Sequence, residues 1–140
     1  MPTEALAEAR EGSVQTIVDL TTMDLGRNVR LVREVATRSG MQIIAATGAW
    51  CDIPRALYLR TPDEVAALFV REIREGIDGT DIKAGIIKMA SDQEGVTPQA
   101  EVILRAAARA ARQYPPQPAS GRRQRGHRWA GMAICWPAAA

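Results

Sequence analysis

Three short apolar runs, centred on Ile17, Ile44 and Ile86, alternate with amphipathic helical stretches and are joined to them through glycines. That alternation constrains the fold more than any single residue does. Strands separated by a helix-length segment cross over, pair in parallel and connect right-handed. Strands that are apolar along their whole length are covered on both faces. The expectation is an α/β fold with three parallel strands, at 17–20, 43–46 and 86–88, flanked by helices.

The punctuation between these runs is equally legible. Thr3 can cap a first helix, with Ala5, Leu6 and Ala9 as its apolar stripe and Gly12 at its end. Asn28 caps a second, in which Val29, Val32, Val35 and Ala36 recur at helical spacing before Gly40. A long loop over 49–60 leads to Thr61-Pro62-Asp63-Glu64, a cap, an N1 proline and a glutamate at the capping-box position. Val65, Leu68, Phe69 and Ile73 then form a buried face, and Gly76 ends that helix. A final helix spans 97–112. Neither Gly-x-Gly-x-x-Gly nor a Walker-type lysine loop is present, so a nucleotide-binding reading has no support.

The third strand carries the most informative side chain. In Ile82-Lys83-Ala84-Gly85-Ile86-Ile87-Lys88, Gly85 allows close backbone approach and Lys88 closes the apolar run. A buried lysine is costly unless it is neutralised or used, and strand C-termini are where chemistry collects in α/β folds. The bland alternative is a lysine that snorkels to the rim or pairs with a carboxylate. Asp19 stands in a similar position, as an active-site carboxylate or as an acceptor for loop backbone.

Several runs resemble the phosphotriesterase family of amidohydrolase-type, zinc-dependent (β/α)8 barrels. They are Thr16-Ile17-Val18-Asp19, Leu25-Gly26-Arg27-Asn28, Ile44-Ala45-Ala46-Thr47-Gly48-Ala49-Trp50, Phe69-Val70-Arg71-Glu72-Ile73 and Thr80-Asp81-Ile82-Lys83-Ala84-Gly85-Ile86-Ile87-Lys88. The resemblance covers about residues 5 to 112, in order. It implies a partial TIM barrel and a hydrolase of organophosphate triesters or lactones. It also implies two divalent zinc ions bridged by a carbamate on Lys88, and a substrate pocket that includes Leu25, Trp50 and Cys51. Cys51 takes a place often filled by an aromatic, and Trp50 can equally be a loop aromatic packed on its neighbours. The family's His-x-His pair, later histidines and late aspartate have no counterpart here. The sole histidine is His127. The resemblance therefore implies an N- and C-terminally incomplete fragment, inactive alone and unable to retain its ions.

At 140 residues the chain is one domain by length, well short of the roughly 250 typical of an eight-stranded barrel. The expected division is a barrel segment over 1–113 and a basic, Pro/Gly/Ala-rich, irregular tail over 114–140. Residues 1–112 carry 14 Lys/Arg and 16 Asp/Glu, whereas 113–140 carry four arginines and no acid. The arginines at 122–128, beside Trp129, can touch phosphates of nucleic acid, but a solvated disordered tail is the expected role. The abrupt change after Gln113 reads as off-frame translation of a G+C-rich gene. Cys51 and Cys135 lack metal or redox spacing and suit a cytoplasmic protein; no membrane span or leader is expected. Uncovered strand faces and edges should make the chain self-associate. Two alternatives stay open: a non-catalytic α/β module interacting through its basic tail, and a closed, doubly wound sheet whose tail covers one edge.

Overall fold

The structure, a computed structural model, describes residues 2–50, 53–91, 95–113 and 131–135. Four helices and four strands alternate along it: α1 (Pro2–Glu11), β1 (Thr16–Asp19), α2 (Val29–Ser39), β2 (Gln42–Gly48), α3 (Pro62–Arg74), β3 (Ile86–Ala90), α4 (Pro98–Gln113) and β4 (Gly131–Cys135). Short 3-10 turns at Met23–Leu25 and Arg55–Leu57 punctuate the loops after β1 and β2.

The expected caps of α2 and α3 form, whereas Thr3, expected to cap the first helix, lies inside α1, which already begins at Pro2. Asn28 accepts from the Leu31 amide, and Gly40 ends α2 in the left-handed region at φ 66°. Thr61 and Glu64 close a full capping box around Pro62. The Thr97 hydroxyl accepts from the Ala100 amide at the start of α4. Gly76 is required by crowding: a Cβ there would lie 1.8 Å from the Thr80 carbonyl oxygen.

All strand pairs are parallel, and the sheet order β1-β2-β3-β4 follows the chain. A doubly wound sheet reverses its order at a switch point; this one does not, so the doubly wound order is set aside, although a segment of the expected tail does cover one edge. Sequential parallel strands with helical crossovers make the wall of a (β/α)8 barrel. Register sorts the side chains. Thr16, Val18, Ile44, Ala46, Gly48, Ile86 and Lys88 fall on one face. Ala45, Ile87 and Met89 fall on the other, in one core with Val29 of α2, Val65, Phe69 and Ile73 of α3, and Ile103, Ala106, Ala107 and Ala110 of α4. The helices thus cover one face, and the face bearing Lys88 is turned away from them.

The three expected strands are present as adjacent parallel neighbours, with two extensions. β3 runs on through Met89 and Ala90, so Lys88 is its middle residue rather than its last. β4 lies in the stretch read as an irregular tail without strand periodicity. Gly131 to Cys135 pair residue for residue with Ile86 to Ala90. The physical reason is the open edge of β3, whose unpaired amides and carbonyls accept any extended segment that carries its own. The arginine cluster, Trp129, His127, Cys51 and most of the expected tail lie outside the described residues.

Candidate functional site

Lys88 occupies the helix-free face of β3, yet it is 1% exposed. Two neighbours crowd it from the β2 side. Gly48, the last residue of β2, stands beside it in register. Gly48 has φ 112°, and a Cβ on it would lie 1.8 Å from the Lys88 carbonyl oxygen. Only glycine lets the two strands close here. The chain then turns, and the Ala49 amide donates to that same carbonyl at 3.2 Å. The next residue, Trp50, lays its ring over the lysine head, with Nζ 3.5 Å from the ring centroid. An ammonium over an indole face is held by the ring quadrupole, and Trp is the best aromatic for it.

Asp24 connects this pair to β1. It accepts from the Thr22 hydroxyl at 2.6 Å through one oxygen and from the Trp50 amide at 2.9 Å through the other. The loop after β1 therefore fixes the loop after β2, and with it the indole over Lys88. Leu25 follows Asp24 at the end of the 3-10 turn and is exposed. Leu25 and Trp50 thus sit on loops joined by one carboxylate. The third pocket residue named from sequence, Cys51, is not among the described residues.

Asp19 has the bland role. One of its oxygens accepts from both the amide and the hydroxyl of Thr21, folding the loop that leaves β1. A charged pair that sequence reasoning missed lies deeper. Arg27 donates through both terminal nitrogens to the two carboxylate oxygens of Glu72 at 2.9 and 2.6 Å, and to the Ala46 carbonyl at 2.8 Å. β1 pairs with β2 only as far as Ala45, so the Arg27 guanidinium takes over the next β2 carbonyl. Both side chains are almost fully buried, and the fork geometry suits Arg rather than Lys. The missed signal for Arg27 was a single arginine after the glycine that ends a loop. For Asp24 it was a carboxylate two residues past a buried threonine.

With this geometry in view, comparison with known proteins is decisive. The sequence profile of the Phosphotriesterase family matches residues 3–132. The chain belongs to the phosphotriesterase family. The match runs past the 5–112 expected from the quoted motifs and takes in the start of β4. An aryldialkylphosphatase of Saccharolobus solfataricus is 43% identical over 102 residues, 71% of this chain and 32% of the relative. A phosphotriesterase homology protein of Mycobacterium tuberculosis is 40% identical over 114 residues, 75% of this chain and 35% of its own. An N-acetyltaurine hydrolase of Danio rerio is 30% identical over 109 residues, 76% of this chain and 31% of its own. The chain spans about a third of the length of the curated relatives it matches.

A phosphotriesterase-family site implies metal, and the donor set here can be tested for it. Among the described residues no group of three or more His, Cys, Asp or Glu side chains gathers. The carboxylates at the end of β1 and in the loop after it are committed: Asp19 to Thr21, Asp24 to Thr22 and the Trp50 amide. Lys88 faces an indole. These residues do not fit a two-ion centre by themselves. No helix among the described residues is long and apolar enough to cross a membrane.

Proposed function

We propose that this chain is a segment of a phosphotriesterase-family hydrolase of organophosphate triesters or lactones, with Lys88 as the site's chemical residue. One observation carries the reading: a fully buried lysine on the helix-free face of a parallel strand, beneath an exposed tryptophan. Burying an ammonium opposes folding, so its presence calls for a use. In the family that use is a carbamate bridging two zinc ions, with Leu25, Trp50 and Cys51 lining the pocket. The N-acetyltaurine hydrolases among the relatives add amides to the substrate classes worth trying. A cytoplasmic location and reduced cysteines belong to the same proposal.

The donors among the described residues do not complete a metal centre, and in isolation the chain is expected to be inactive. Purified chain supplied with zinc or cobalt and bicarbonate should retain less than one ion per molecule after dialysis. It should show no hydrolysis of a triester, lactone or N-acyl amide that Lys88→Ala abolishes. Two retained ions with turnover lost in Lys88→Ala would overturn the inactivity and point to ligands outside the described residues.

A second reading has an observation of its own. The helices and sheet share one continuous core, and β4 extends the sheet. A non-catalytic α/β module is the reading that remains if the coding DNA beyond codon 113 contains no alternative frame that continues the barrel with a metal-binding histidine.

A further inference from the structure

We infer that Asp24 is a positioning residue for Lys88, acting through Trp50. The inference rests on the reading of Lys88 as the chemical residue, and it adds what governs access to it. Lys88 is 1% exposed although it lies on the face that none of the described helices covers, while Trp50, whose ring covers its Nζ, is 42% exposed. The cover is therefore itself at the surface. A surface indole keeps one orientation only if its backbone is held, and the loop it belongs to is long. Asp24 holds it. Its carboxylate takes the Trp50 amide on one oxygen and the Thr22 hydroxyl on the other, and Thr22 is fully buried. A buried threonine after β1 thus anchors a carboxylate, the carboxylate anchors the residue after β2, and that residue's ring lies over β3. Three consecutive strands of the sheet meet at the lysine head through two hydrogen bonds and one ring contact.

Hydrogen bonds to a carboxylate are stronger than neutral ones, and losing one shifts a local equilibrium by about tenfold or more. Without Asp24, the loop carrying Trp50 should open more often, and Lys88 should become reachable by an electrophile. No metal and no turnover are needed to see this.

The chain offers its own control, because its two lysines are Lys83, which is exposed, and Lys88, which is buried. Reductive dimethylation of the folded full chain with formaldehyde and a borohydride, followed by peptide mass spectrometry, gives a rate for each. In the wild type Lys83 should label far faster than Lys88. Asp24→Ala should raise the Lys88 rate about tenfold and leave Lys83 unchanged. Trp50→Ala should raise it at least as much, and the double variant should add nothing to Trp50→Ala. Asp24→Asn retains an acceptor for the Trp50 amide and should label like the wild type. A general loosening of the fold would not be rescued by that change. Should Asp24→Ala fail to fold, Asp24→Ser decides in its place, since its hydroxyl is too short to span both partners. Asp24 variants that label Lys88 at the wild-type rate overturn the inference, as does a Lys88 rate insensitive to Trp50→Ala. Either outcome leaves the hydrolase reading standing, and failure of the hydrolysis assay leaves the labelling result standing.

Discussion

At the scale of single residues, Lys88 sets stability against chemistry. Its head lies over the face of one indole, in a close-packed part of the sheet. A desolvated cation–aromatic contact is worth about 2 kcal/mol, whereas burying a charge costs several. Methionine has similar length and flexibility, carries no charge, and makes sulfur–aromatic contacts of its own. Lys88→Met keeps a contact with the indole and removes the charged head, and is expected to change the urea midpoint by the equivalent of no more than about 1 kcal/mol. Chemical denaturation of the two proteins at one pH measures it. A larger fall in the midpoint would mean that the interactions of the lysine head outweigh its desolvation. Arg27 and Glu72 are a mutually directed pair. Each charge there makes two or more directed hydrogen bonds, and the pair joins the loop after β1 to α3.

At the scale of elements, α3 shows how much a helix start depends on ionisation. The Thr61 backbone amide donates to Glu64 and is the main reason its carboxyl lies below the usual carboxylate range. Hydrogen bonds from Arg60 and the Thr61 hydroxyl add to it. A carboxyl whose folded pKa is lowered contributes stability that is present above its unfolded value and lost as pH falls through its folded value. The wild type should therefore exceed Glu64→Gln in urea midpoint near neutrality, and the gap should close as pH falls through the usual carboxylate range and below it. A gap that persists at the acid end would show that the charge is not what the box uses. This capping box was legible in the sequence, as were Asn28, Gly40 and the three strands, because caps and apolar runs are local signals. Lys88 and Trp50 were legible through the resemblance, although their contact was not. The Arg27–Glu72 pair joins positions 45 residues apart, and Asp24 meets Trp50 across 26. Such contacts exist only once β1 and β2 are side by side, and no periodicity announces them. β4 was illegible for a related reason: the edge of β3 selects it, and its own residues do so only weakly.

At the scale of the whole molecule, the sheet has one well-covered face and one that the helices leave open. On the open face Val18 is 44% exposed and Ile44 and Ile86 are half-buried, with Leu25 and Trp50 exposed on the adjoining loops. β1 is also an edge strand, with a partner on the β2 side only among the described residues. In a closed barrel, strands from across the lumen fill that face and a further strand takes up that edge. An apolar patch beside an unpaired edge is an association site, and a charged residue on the edge strand is a common way of blocking one. The chain is therefore expected to self-associate reversibly through the β1 side. Sedimentation velocity over a concentration series should show a rising weight-average mass for the wild type. Val18→Lys should shift the chain toward monomer. Because Val18 is so exposed, that change should alter the urea midpoint by no more than about 0.5 kcal/mol. A wild type that stays monomeric throughout would mean that the open face is covered by residues outside those described. Equal association of Val18→Lys and wild type would move the contact away from β1, and the β4 edge would be the next to charge.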